Sequence, residues 1–230
     1  HRLAPVSKVA VLAVDPTSPL SGGALLGDRI RLSVLDDKSK SDSIYVRSIA
    51  TRSSSGSIPS IVRSLAHHLL ENDFDFVFIE TVGAGQSEMR CAAVANRIVV
   101  VEGPARGDGI QAEKAGLLEL ADLIVVNKSD LDGAEKVVND LTISLGLTND
   151  MPPIIKTSTV TGDGLDELVI QVTTLEERNS SKRARCRQQL LMAHESILTS
   201  NPDFEAVLNR MSEEGLGLED ALRELSERSS

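Results

Sequence analysis

Four short stretches of this 230-residue chain combine residue types and spacing that could do chemistry. NKSD at 127–130 closes an apolar run, LIVV at 123–126. A carboxylate at a strand's C-terminal end, here Asp130, can accept two N–H bonds from the edge of a guanine ring. Asn127 and Lys128 would brace the loop and cover the base. Adenine offers acceptors or nothing at those positions, and such polar matching discriminates by several orders of magnitude. The same four residues also occur as a plain surface turn. ETVGAGQSE at 80–88 closes a second apolar run, with Glu80 at its tip. Gly83 and Gly85 would let backbone N–H groups approach a phosphate, and Gln86 or Glu88 could orient a water. A strand-ending Glu before a glycine-rich turn is also common in ordinary loops.

DPTSPLSGGALLGD at 15–28 follows a third run. Asp15 and Asp28 bracket a loop that could fold over a phosphate and its metal, since Mg²⁺ takes oxygen ligands and keeps waters. Asp15-Pro16 equally makes a turn, and Asp28 equally caps a helix. TSTVTGDG at 157–164, with Ser158 next to its start, could reach the base through backbone groups or serve as a strand–helix turn.

These loops need elements to hold them. Five apolar runs, Val9–Val14, Phe74–Ile79, Ile98–Val101, Leu123–Val126 and Pro153–Lys156, are mostly continuous rather than alternating. That is the pattern of strands buried on both faces of a parallel sheet. Helices are expected over 58–71, 110–120 and 132–145. The alternation predicts right-handed crossovers and an α/β, doubly wound, mostly parallel sheet over residues 1–178. Residues 179–230 read as a helical extension, with helices at 182–199, 204–211 and 218–225 after one at 165–177. An apolar stripe through Leu190, Leu191, Ile197 and Leu198 could pack on its own domain or on a partner. The Ser-rich stretch 53–57 reads as a loop.

Composition bounds the rest. A hydrophobic content of 41% suits a globular chain. A formal charge of −10 argues against non-specific nucleic-acid binding. The two cysteines, Cys91 and Cys186, lie in no CxxC pair, so reduced surroundings are expected. No apolar run approaches the ~20 residues that span a membrane, and no signal peptide is visible.

Together AVDPTSPLSGGALLGDRIR (13–31), FDFVFIETVGAGQSE (74–88), GDGIQAEKAGLLELADLIVVNKSD (107–130) and EGLGLEDALREL (214–225) resemble the MeaB/ArgK family of P-loop GTPases. These are metallochaperones of cobalamin-dependent acyl-CoA mutases of the methylmalonyl-CoA type. The resemblance implies GTP/GDP as ligand and Mg²⁺ as cofactor, with Asp15, Asp28 and Glu80 tied to the metal and to hydrolysis. It implies guanine recognition by Asn127, Lys128 and Asp130. It implies mutase-contacting switches at Arg31, Asp108 and Lys114, and a tail that forms a homodimer arm. Gly109, Ala112 and Glu113 depart from the family's usual pattern. A cytoplasmic or mitochondrial-matrix location follows from the same likeness. A related metal-insertion GTPase is a second reading, for which the adjacent His67 and His68 make a poor metal pair. A non-hydrolysing interaction protein is a third.

One family part is absent. The GxxxxGK[ST] phosphate loop lies well upstream of a segment like VAVLAVD, and here eight residues precede Val9. The expectation is an N-terminally incomplete GTPase lacking a strand, that loop and most of a helix. Hydrogen bonds to charged groups contribute roughly 1.5–3 kcal/mol each. Losing three at the low end weakens nucleotide binding about a thousandfold. The absent strand would belong inside the sheet and leave unpaired edges.

Overall fold

The computed structural model describes residues 2–16, 43–51, 60–81, 94–104, 116–118, 120–146 and 150–227. It divides into two compact units, 1–185 and 186–230. In the first, six parallel strands among the described residues form two three-stranded sheets. β1 (Val9–Pro16) lies between β2 (Ile44–Thr51) and β3 (Phe76–Thr81). β5 (Leu123–Asn127) lies between β4 (Val99–Glu102) and β6 (Ile154–Thr157). The fold is therefore α/β and parallel, as expected, and helices follow the strands. Among the described residues β2 and β3 are the outer strands of the first sheet, and β4 and β6 those of the second.

The continuous apolar runs are explained by burial on two faces. In β5, Ile124 and Val126 pack on helix α2 (Ala134–Leu145) through Leu141 and Leu145. Leu123 and Val125 face the other way, onto Leu168 and Val172 of α3 (Leu165–Thr174). In the first sheet Ala10, Leu12 and Val14 pack on α1 (Ser60–Glu71) through Val62 and Leu69. Both α2 and α3 begin after a left-handed glycine, Gly133 (φ 93°) and Gly164 (φ 68°).

β2 was not anticipated. Its sequence, IYVRSIAT, is interrupted by exposed Arg47 and Ser48 and so never forms a continuous apolar run. As an edge strand it needs only alternating apolar residues, and Tyr45 and Ile49 reach the α1 cluster. The segment expected to be helical at 110–120 is described only at 116–118 and Leu120, which are helical. The expected loop at 53–57 lies outside the described residues.

Helix α4 (Asn179–Thr199) starts in the first unit and runs into the second. Its first turns are anchored by a buried carboxylate. Asp122, 1% exposed, begins the run into β5. It accepts from the Ile98 N–H (2.9 Å), the Arg178 N–H (3.2 Å), the Ser181 hydroxyl (2.6 Å) and the Arg185 guanidinium (2.7 Å). Arg185 also pairs with Glu177 at 2.8 Å. Four donors on one buried carboxylate leave neither charge of the pair uncompensated.

The second unit holds its own small core. Val207, Ala221 and Leu225 are buried, with Leu198, Phe204, Met211 and Leu216 packed around them. They come from α4, α5 (Phe204–Asn209), a π turn over Arg210–Glu214, the link at 215–217 and α6 (Leu218–Glu227). Arg210 bonds Glu224 across this unit at 2.6 Å. The apolar stripe of α4 therefore splits. Leu198 joins the core, while Leu190, Leu191 and Ile197 are exposed.

Candidate guanine-nucleotide site

The C-terminal ends of β5 and β6 bring NKSD and TSTVTGDG side by side. Asn127 ends β5 in register with Thr157 on β6. The Ser129 N–H donates to the Thr157 carbonyl at 3.0 Å, so the pairing runs past the strand end. Between them Lys128 adopts φ 60°, a left-handed conformation that non-glycine residues rarely hold. Such strain costs of order 1 kcal/mol or more and collects at functional loops.

Two side-chain bonds then orient the polar groups of NKSD. The Thr157 hydroxyl donates to Asn127 Oδ1 at 3.3 Å, which leaves the Asn127 amide as a donor. The Ser158 hydroxyl donates to Asp130 Oδ1. Ser158 is fully buried, and its oxygen accepts from the Val160 and Thr161 N–H groups, both at 3.2 Å. With both lone pairs used, its proton has only the carboxylate to go to. Asp130 and Lys128 are exposed, open to a ligand.

The 158–164 loop is held as tightly. The Ser158 N–H donates to the Asp163 carbonyl (3.0 Å) and the Gly162 N–H to the Ser158 carbonyl (2.9 Å). Gly164 passes so close to β6 that a Cβ there would lie 1.9 Å from the Lys156 carbonyl oxygen. On the β4 side, a Cβ on Gly103 would lie 3.2 Å from the Asn127 carbonyl oxygen. This half of the site is thus built from second-sheet elements, and the geometry suits a guanine edge presented to Asp130.

The expected residues Asn127, Lys128, Asp130 and Ser158 lie together here, and Thr157 and Gly164, which were not singled out, join them. Their signal was weak: a Thr ending a strand beside NKSD, and a second glycine in a turn that one already explains. Asp122 was missed too, although a lone acid opening an apolar strand, upstream of a basic helix start, marks a buried pair.

The residues expected at the metal and the switches are less completely described. Glu80 is described in β3, exposed and paired in register with Ala13. Asp15 lies on β1 two residues further on, so the backbone sets both at the C-terminal ends of adjacent strands. Asp28, Arg31, Gly83, Gln86, Glu88, Asp108 and Lys114 lie outside the described residues. Among the described residues no group of three or more His, Cys, Asp or Glu could hold a metal ion. They do not by themselves make a magnesium site.

A family profile described as "Methylmalonyl Co-A mutase-associated GTPase MeaB" matches residues 4–214. The chain belongs to the MeaB family. Within it, a protein named as a GTPase from Pyrococcus abyssi is 32% identical over 229 residues, covering 90% of the chain and 70% of that protein. A protein named as a GTPase from Pyrococcus horikoshii is 43% identical over 167 residues, covering 70% of the chain and 52% of that protein. The mouse protein "Methylmalonic aciduria type A homolog, mitochondrial" is 35% identical over 172 residues, covering 70% of the chain and 40% of its own length. The chain thus spans about half the length of several relatives that it matches. Among solved structures, HypB from Helicobacter pylori in complex with nickel superposes with a TM-score of 0.51 at 17% identity, covering 75% of the chain and 78% of HypB. That likeness speaks to the P-loop GTPase fold alone. No helix among the described residues is long and apolar enough to cross a membrane.

Proposed function

We propose that the chain is the base-recognising portion of a GTP-binding, GTP-hydrolysing protein that serves a cobalamin-dependent acyl-CoA mutase of the methylmalonyl-CoA type. One observation carries the nucleotide part: a buried Ser158 hydroxyl holds Asp130 beside a Thr157-held Asn127, at adjacent strand ends. The MeaB match supports the GTPase and mutase parts. In this reading Lys128 covers the base. Asp15, Asp28 and Glu80 gather around Mg²⁺ at the phosphates, with the Gly83 backbone close by. Arg31, Asp108 and Lys114 report the nucleotide state to the mutase. The exposed Leu190, Leu191 and Ile197 serve a homodimer arm.

Phosphoryl transfer needs mainly positioning and charge stabilisation, so the base half alone binds without turning over. NMR titration of the chain with GMP, GDP and AMP tests this. GMP and GDP are expected to shift the amides of 127–130 and 158–164 with similar midpoints, and AMP to shift neither loop. Equal responses to AMP and GMP overturn the guanine assignment. Co-elution of the chain with a cobalamin-dependent mutase on gel filtration tests the partner. Separate elution at micromolar concentrations of both counts against it.

A further inference from the structure

The NKSD loop runs from Asn127, the end of β5, to Gly133, the residue before α2. Thr157 and Ser158 hold it from the β6 side, and the Ser129 N–H continues that ladder past the strand end. On the β4 side the ladder stops earlier, where Glu102 pairs with Val126. The next two residues, Gly103 and Pro104, leave the strand but meet the loop at both of its ends. A Cβ on Gly103 would lie 3.2 Å from the Asn127 carbonyl oxygen, and one on Gly133 would lie 3.6 Å from Pro104 Cβ. The second separation is ordinary van der Waals contact. The first is tighter, so a side chain at 103 would displace the Asn127 carbonyl by a few tenths of an ångström.

Conformation does not call for glycine at 103. Gly133, Gly162 and Gly164 hold positive φ, and Gly103 does not. What its bare Cα provides is room for a close backbone approach. The carbonyl that uses this room shares a rigid peptide plane with the Lys128 N–H. A displaced oxygen therefore tilts the entry into Lys128, the left-handed residue of the motif with φ 60°. Such a conformation persists only where its surroundings over-determine it. Gly103 and Pro104 supply that constraint on the side that β6 does not reach.

Resting on the guanine assignment of Asn127 and Asp130, we infer that Gly103 and Pro104 are positioning residues for base recognition. They act through Asn127 and Gly133, and they set how well the loop presents Asp130. Selectivity stays with Asp130, while affinity depends on the room at 103. A misplacement of about 1 Å in a positioned site costs up to about a hundredfold, so a few tenths correspond to roughly threefold to fivefold.

Amide-shift titration of the 230-residue chain with GMP and AMP tests this. G103A should weaken GMP roughly threefold to fivefold, and G103V should weaken it more. Where G103V does not fold, G103A carries the test. In ligand-free G103A the carbonyl carbon of Asn127 and the amide of Lys128 should shift. P104G, which removes the contact at Gly133, should also weaken GMP. V62A, which removes buried volume from the α1 core of the first sheet, should lower Tm and leave the GMP midpoint unchanged. A wild-type chain selective for GMP, with unchanged midpoints in G103A and P104G, overturns the inference alone. So does a V62A loss of GMP affinity as large as that of G103A, because stability rather than positioning would then set the midpoint. A wild-type chain that answers GMP and AMP alike overturns the guanine assignment and this inference with it.

Discussion

Replacing Asp130 with Asn should exchange guanine for xanthine, and the structure says why the exchange is directional. Ser158 accepts two backbone N–H bonds and therefore donates its proton to Oδ1 of Asp130. In D130N the same proton needs an oxygen, so the carbonyl of the introduced carboxamide turns toward Ser158 and its NH₂ takes the place of Oδ2. Guanine presents N–H donors there, and a donor meets a donor. Xanthine has a carbonyl oxygen where guanine has its amino group, and a donor meets an acceptor. Two charged hydrogen bonds at about 1.5–3 kcal/mol each are at stake for guanine, together about 3–6 kcal/mol. That corresponds to a loss of roughly two to four decades in affinity. Amide-shift titration of the loops 127–130 and 158–164 with GDP and XDP reads this even where affinity is weak. Wild type should respond to GDP, and D130N to XDP. If D130N still prefers GDP, Asp130 is not the base-recognising carboxylate and the Ser158 contact is only a loop brace.

Three further perturbations separate the site from its scaffold. Gly164→Ala drives a Cβ into the Lys156 carbonyl at a left-handed φ, so it should cost more than roughly 1 kcal/mol. It should also shift the amides of Ser158–Gly164, and an unchanged Tm would refute the close approach. Asp122→Ala takes from the buried Arg185 one of its two carboxylate partners and leaves the Ile98 N–H without its acceptor, and should cost about 3–5 kcal/mol in urea unfolding; a loss below about 1 kcal/mol would show that the pair is dispensable. The bond from Arg185 holds the Glu177 carboxyl below its usual pKa, and the bond from Ser180 does the same for Asp150. A depressed carboxylate pKa stabilises the fold above the unfolded-state value, and that stability is lost as pH falls through the folded-state value. Urea midpoints should therefore drop below about pH 4.5, the ordinary Glu value. R185M should flatten the part due to Glu177, and a midpoint unaffected by pH would refute both contacts.

The second sheet was the most legible part of the molecule. LIVVNKSD writes a doubly buried strand and the motif at its tip in consecutive residues, and PIIKTS writes its neighbour, an outer strand with Lys156 exposed, so pattern and motif coincide. Asn127 and Asp130 could be named because a local motif carries them. Thr157 could not, because its role depends on the register of β6 with β5, which no single segment encodes. Asp122 was hidden for the same reason, since its donors stand 24 to 63 residues away in sequence. β2 escaped because edge strands need only alternation, and Arg47 and Ser48 broke the run that marks inner strands.

The division into two sheets also parallels a division of expected roles. Asn127, Asp130, Thr157 and Ser158 come from the ends of β5 and β6, and their bonds to one another close within that sheet. The residues expected at the phosphates, Asp15 and Glu80, end β1 and β3 of the other sheet. In the proposed reading guanine selectivity rests on the β5–β6 ladder alone. A substitution at Asp15 or Glu80 should therefore lower affinity for GDP and leave the preference for GMP over AMP unchanged, and a lost preference in either variant, read by amide-shift titration, would refute that separation.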